Sequence, residues 1–237
     1  MKLVIGTKKY STWSLRPWIL MKYFGVPFEE CLIPFEMKPG SRENTDDVRG
    51  RMRAVSPNGR VPVLILDNGT TINESFCICE YVNERCIGQR AWPSDEESRY
   101  LAKSMCLEMA TGFIEMRRLL PMSIGSITQY SGQPPQATRG DISRVLGMLE
   151  AALTRSGGKE FLFGPFTIVD AYFLPVLFRF ETYRVPLPAL VGAYSDRMMG
   201  LEHVAEWRRG DANCPSIEGI TNIINSYPHE TPDACKI

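Results

Sequence analysis

The 237-residue chain carries 27 basic and 27 acidic residues, a balance that gives no electrostatic reason to expect nucleic acid or an anionic membrane as a partner. Hydrophobic residues make up 44% and charged residues 23%, the composition of an ordinary globular protein with room for one large or two modest domains. No apolar run approaches the ~20 residues that span a bilayer, and MKLVIGTKKY is too short an apolar start for a signal peptide, so a cytoplasmic protein is expected.

Lys2 to Gly6 is a short apolar strand candidate, followed by a polar and aromatic loop from Thr7 to Ser14. Leu15 to Phe24 reads as a buried helix with Pro17 in its first turn, stopped by Gly25 and Pro27. Phe28 to Ile33 is a second strand, parallel to the first if the helix is a crossover, so the chain opens as β-α-β. Pro34 to Val55 is polar and predicts a loop with one irregular helix. Its Arg42, Arg49, Arg51 and Arg53 read as solvated rather than ligand-binding.

Val61-Pro62 precedes the apolar run Val63 to Leu66. A proline donates no ladder hydrogen bond, so it marks a bend entering a strand rather than a place inside one. Asp67-Asn68-Gly69 supplies a hairpin turn, Thr70 to Ile72 the returning strand, and Asn73-Glu74-Ser75 the start of a helix running to Arg85. Taken alone, the dipeptide favours a trans proline at an edge strand. A cis bond would instead turn the Val61 N–H and C=O outward beside a helix N-terminus.

Cys86 to Glu97 breaks the periodicity, which divides the chain into residues 1–86 and 95–237. The second part reads as all-helical. Ser94 to Leu120 predicts one long amphipathic helix bent at Gly112 and ending at Pro121. A loop at Ser131 to Pro135 leads to a helix from Ala137 to Arg155, ended by Gly157-Gly158. In Phe161 to Phe180, Thr167 and Asp170 have the spacing of a capping box. After Pro188 two or three shorter helices are expected, with Trp207 in packing and a loose tail from Tyr227. Seven cysteines, an odd number, fit reduced thiols better than a disulfide framework; Cys77 and Cys79 point to different helix faces, and with only His203 and His229 no metal site is expected.

The order β-α-β-α-β-β-α is that of a thioredoxin-like domain. With Val61-Pro62, Glu74-Ser75 and a capped helix after Phe-Leu-x-Gly, the chain resembles the glutathione transferases over nearly its whole length. The resemblance implies an α/β thioredoxin-like N-terminal domain plus an all-α C-terminal domain, a cis Val61-Pro62 bond, and glutathione as co-substrate. It also implies that the Val61 backbone meets the cysteinyl part of glutathione while Glu74 and Ser75 hold the γ-glutamyl end, with Arg60 near the glycyl carboxylate. A small electrophile as the second substrate, a role in detoxification and a homodimer are implied with it.

In such a domain the reacting group lies in the loop facing the proline, Tyr10 to Arg16 (YSTWSLR). Thiol–disulfide exchange would want a cysteine there, and Ser11-Thr12-Trp13-Ser14 has none. A serine hydroxyl can instead donate to a bound thiolate, helped by the positive end of the following helix. A free thiol of pKa about 8.5 is only about 3% ionised at pH 7, so lowering that pKa multiplies the nucleophile. The stretch resembles the Ser-Ser-Cys-Ser-Trp-Arg motif of zeta-class transferases and the serine motif of theta-class ones. Its register implies Ser11 as the catalytic serine and Ser14 as a helix cap, with Tyr10 the next candidate. The electrophile pocket is expected between this domain and the first long helix, from Tyr10, Trp13, Met109, Phe113, Met116 and Arg117. Glu108 to Met122 also resembles a bacterial-type subgroup in which a histidine stands at the position of Ala110. Two further readings stay open: a glutathione-dependent cis-trans isomerase such as maleylacetoacetate isomerase, for whose anionic substrates Arg16 and Arg117 are candidates, and a non-catalytic binding module.

Overall fold

The computed structural model describes residues 1–38, 44–128, 134–210 and 216–226. β1 (Lys2–Gly6) is buried from Leu3 onward because it lies inside a four-stranded sheet of order β2-β1-β3-β4. The chain then crosses through α1 (Thr12–Tyr23) to β2 (Glu29–Ile33), which pairs parallel to β1 and is an edge strand with only Ile33 buried. After α2 (Asp46–Val55), β3 (Val63–Ile65) runs antiparallel to β1 with Leu3 opposite Leu64, and β4 (Thr71–Asn73) runs antiparallel to β3. The hairpin between them closes as the Asp-Asn-Gly signal predicts. Gly69 adopts φ +84°, its N–H donates to Leu66 O at 2.9 Å, and Leu66 N–H donates to Thr70 O at 2.9 Å. α3 (Ser75–Arg85) completes the thioredoxin-like order.

The remaining described elements are helices: α4 (Glu96–Thr111), α5 (Ile114–Leu119), α6 (Gln136–Arg155), α7 (Ile168–Thr182), α8 (Ala189–Met199), α9 (Glu202–Arg209) and α10 (Glu218–Asn225). α7 is buried on nearly every face, as a helix apolar all round must be, and packs on α1 and α4. Its Thr167–Asp170 start is the expected capping box, drawn tighter than expected. The Asp170 carboxylate accepts from the Thr167 N–H and from the Thr167 hydroxyl, each at 2.8 Å, and from Leu162 N–H and Tyr194 O–H, each at 3.1 Å. One hydrophobic core runs from Leu3 and Trp18 through α4, α6 and α7 to Trp207. Trp207 packs edge-on to Trp18 at 4.9 Å and donates to Lys8 O at 3.0 Å, the packing role expected of it. Between α3 and α4 the chain is pinned, since Ala91 N–H donates to Asn83 Oδ1 and Ile168 N–H to Ala91 O. Among the described residues no helix is long and apolar enough to cross a membrane.

Four expectations are corrected. α1 begins at Thr12 rather than Leu15, which moves Pro17 out of the first turn and costs the helix one main-chain hydrogen bond. α2 is regular, with Thr45 capping the Val48 N–H and Val48 and Met52 on its buried side. The long helix from Ser94 is two helices. Gly112 is extended and a Cβ there would lie 2.9 Å from Glu108 O, and Phe113 takes the left-handed region at φ 55°, so the chain breaks rather than bends. β4 starts at Thr71 rather than Thr70. Arg42, most of the loop before α6 and the tail from Tyr227 lie outside the described residues.

Candidate active site

Two adjoining cavities meet where the ends of β1, β3 and α4 converge. The first, of about 390 Å³, is lined by Asn58, Arg60, Val61, Pro62, Glu74, Ser75 and Phe76 from the thioredoxin-like part and by Ala110, Thr111, Arg117 and Tyr172 from the helical part, with Trp13 between them. The second, of about 670 Å³, holds Tyr10, Ser11, Thr12 and Phe35 against Ile114, Pro121, Met122, Arg179 and Ile220. Trp13, Val61, Thr111 and Arg117 border both. A larger cavity of about 1070 Å³, on the side of Glu80, Arg90 and Arg155, contains none of the expected site residues.

The Val61-Pro62 bond is cis. Among the described residues the Val61 N–H and C=O have no hydrogen-bond partner, and Val61 forms wall rather than ladder. Glu74 sits at the N-cap of α3 with φ 66° and ψ 127°. Its side chain leaves the first-turn N–H groups uncapped and accepts instead from Asn58 Nδ2 at 3.1 Å. An uncapped helix start beside a carboxylate makes one spot that attracts both an anion and an amine. Ser75, buried at that start, shares a 2.9 Å hydrogen bond with the hydroxyl of Tyr172 on α7. Tyr172 is a site residue that sequence reasoning missed. It sits among the apolar residues of a core helix, and only its hydroxyl could have signalled a polar destination.

Ser11 occupies the N-cap position of α1, nearly buried, with no side-chain cap bond; its hydroxyl donates to Ser14 Oγ at 2.7 Å. Ser14 is therefore not the helix cap. It lies in the first turn, fully buried, where its oxygen also accepts the Gly6 N–H at 3.1 Å. Tyr10 lines the second cavity, and its hydroxyl accepts the N–H of Ile217 at 3.0 Å, tying that wall to the start of α10. Trp13 lies beneath two guanidiniums, with Arg16 4.0 Å and Arg117 5.1 Å from its ring centre.

Met109, Phe113 and Met116 are not in either cavity wall. All three are buried in the core. On α4, Met109 belongs with Ala102 and Cys106 to the face turned inward, while Ala110 and Thr111 face the cavity. Apolar helical spacing marks a core face first. Arg117 is where it was expected, and Arg179 of α7 joins it unforeseen. Arg16 is buried outright, its Nε donating to Tyr172 O at 3.2 Å and its charge pushed down to a pKa of about 10, chiefly by burial. Cys79 and Cys106 are buried behind the site, where desolvation pushes both thiols up, so neither supplies a thiolate. Among the described residues no group of His, Cys, Asp and Glu side chains is arranged to hold a metal ion.

The model of the glutathione S-transferase N-terminal domain matches residues 10–85, and that of the C-terminal domain matches residues 135–210. The chain belongs to the glutathione S-transferase family. Among curated relatives of this transferase, the glutathione S-transferase GstA of Escherichia coli O157:H7 is 28% identical over 86% of this chain and 90% of its own length. A probable maleylacetoacetate isomerase of Vibrio cholerae is 22% identical over 82% of this chain and 83% of its own. Among solved structures, a glutathione transferase homologue from Burkholderia with bound glutathione superposes with a TM-score of 0.66 at 21% identity, covering 89% of this chain and 97% of that one. That likeness is one of fold.

Proposed function

We propose that this transferase binds glutathione in the 390 Å³ cavity and adds its thiolate to an electrophilic carbon held in the adjoining one. The observation that carries the reading is the convergence in one cavity wall of unpaired Val61 main-chain groups, the Glu74-Ser75 start of α3, and Trp13 from the serine loop. Val61 pairs with the cysteinyl main chain, Glu74 meets the glutamyl amine, and Ser75 with the uncapped N–H groups of α3 holds the glutamyl carboxylate. Arg60 takes the glycyl carboxylate. The cavity lies within the ~300–1,000 Å³ usual for small-ligand sites. The sulfur then lies at the junction of the two cavities, toward Ser11 and the positive end of α1, where a hydroxyl donor and the helix dipole both favour the thiolate. Calorimetric titration with glutathione, followed by conjugation to a chlorodinitrobenzene, tests this; absence of both binding and glutathione consumption would reject it.

Glutathione-dependent cis-trans isomerisation is a second reading, favoured by the likeness to the isomerases. In it the sulfur adds, a bond rotates and the sulfur leaves, so glutathione is not consumed. Isomerisation of maleylacetone without loss of free thiol would select it. We further propose a cytoplasmic homodimer acting in detoxification. Exposed Tyr100, Leu101 and Leu107 on α4 are large apolar side chains that a second copy of the chain would cover. Sedimentation of the Leu107→Asp variant as a monomer is the expected result.

A further inference from the structure

The cavity beside Ser11 is bordered by Arg117, Arg118 and Arg179, and among the described residues no Asp or Glu lines it. Arg118 is paired at the rim with Glu115 at 2.6 Å. The other two have no carboxylate partner among the described residues. Among the described residues Arg117 donates to the carbonyls of Ala110 and Gly112, each at 3.3 Å, and it stacks on Trp13. Arg179, with 5% of its surface exposed, donates to Pro175 O at 2.9 Å and leaves its buried Nε without a partner. Behind them Arg16 is stacked between Trp13 and Tyr172 and leaves one terminal nitrogen unpartnered. Burial lowers all three, to about 10 for Arg16 and about 9 for Arg179. Arg117 presses further on Arg16, and Arg16 and Arg117 both press on Arg179. Uncompensated buried charge of one sign is costly, and folded chains keep it where a ligand of opposite sign supplies the balance.

We propose that the electrophile taken by the cavity beside Ser11 carries a carboxylate or comparable anionic group, which Arg117 and Arg179 hold. The inference rests on the glutathione transferase reading and names its substrate class. Glutathione does not account for Arg179, because Arg179 borders only the second cavity while the tripeptide site is the first. The apolar walls supplied by Phe35, Ile114, Met122 and Ile220 take the body of the molecule, so an aryl or unsaturated acid fits the two halves of the lining. In the reaction the thiol gives its proton to solvent and the thiolate sulfur forms a bond to the electrophilic carbon; on an unsaturated acid the π pair moves to the neighbouring carbon, which takes a proton from solvent. For an aryl chloride the chloride leaves with the bonding electron pair, and nothing is oxidised or reduced.

The test uses the full chain with glutathione and a matched pair of substrates, chlorodinitrobenzoate and its methyl ester. The ratio of kcat/KM for acid over ester is expected to fall about tenfold or more in Arg179→Met and in Arg117→Met, the size of a lost charge-assisted hydrogen bond. Arg179→Lys should retain more of the ratio than Arg179→Met. Since Arg179 is buried and its variants can fail to fold, Arg117→Met, at a partly exposed position, decides independently. Turnover of the ester with a ratio that no variant moves overturns the proposal alone. Equal losses on both substrates, with the ultraviolet absorbance of bound thiolate appearing only at higher pH, also overturn it, because the guanidiniums would then serve the sulfur. Absence of glutathione binding and of turnover with either substrate removes the transferase reading itself and this inference with it.

Discussion

Ser11 Oγ donates to Ser14 Oγ across 2.7 Å, and the same Ser14 oxygen accepts the Gly6 N–H at 3.1 Å. The hydroxyl that borders the cavity is thereby tethered to the end of the central strand. In the resting arrangement its proton points away from where a thiolate would sit. To donate to sulfur, the Ser11 hydroxyl has to rotate, and Ser14 is the group it leaves.

Replacing Ser11 by alanine removes that donor without altering the main-chain contacts proposed for glutathione. We expect kcat/KM to drop about 10- to 100-fold while the glutathione dissociation constant stays within about threefold. Steady-state kinetics beside calorimetric titration reads both, and unchanged turnover would strip Ser11 of its role.

Ser14→Ala acts differently. It leaves the buried Gly6 N–H without an acceptor, a loss of about 1–3 kcal/mol in unfolding free energy, and frees the Ser11 hydroxyl from its tether. Denaturant unfolding should show the destabilisation. In a double-mutant cycle the effects of Ser11→Ala and Ser14→Ala on kcat/KM should not add. Strict additivity would mean that the two hydroxyls do not act together.

Tyr172→Phe deletes the hydroxyl on Ser75 and keeps the ring that lies under Arg16 and edge-on to Phe76. With Ser75 no longer held, glutathione affinity should weaken roughly three- to tenfold, about the value of one hydrogen bond. A dissociation constant equal to that of the parent protein would separate Tyr172 from the tripeptide site.

Burial raises Asp170 to a pKa of about 6 even though four donors oppose the rise. The folded chain thus holds this proton more tightly than the unfolded one, whose carboxyl titrates near the ordinary aspartate value of 3.8. Its contribution is full below about pH 4 and is lost as pH rises through about 6, on the order of 3 kcal/mol in all. Unfolding free energies of the parent and Asp170→Asn from pH 4 to 7 should differ in slope over this window. Parallel curves would contradict the assignment. The Asn variant should also be less stable throughout, since its amide presents a donor to groups that themselves donate.

Much of the chain is legible in the sequence. Val61-Pro62, Asp67-Asn68-Gly69 and Thr167–Asp170 speak through nearest-neighbour chemistry: a missing N–H, a glycine free to take positive φ, a cap three residues from its partner. The break at Gly112-Phe113 was half visible, because a glycine permits a bend while only the closeness of Glu108 O and the turn of Phe113 demand a break. The three residues misplaced in the pocket wall share one cause. Met109, Phe113 and Met116 have the spacing of a helix face, and spacing says which residues travel together but not whether they look toward a core or a cavity.

By itself, then, the sequence determined the order of strands and helices, the kink before β3, the cap of α7 and the absence of a cysteine from the loop that faces them, because each depends on residues a few positions apart. Tertiary structure alone decided that Ser14 anchors Ser11 rather than capping its helix, that Tyr172 reaches Ser75, and that Arg117 and Arg179 border one cavity. Those relations join segments as many as 97 positions apart in the chain. The last two are set by how α3, α5 and α7 come together, which local pattern does not encode.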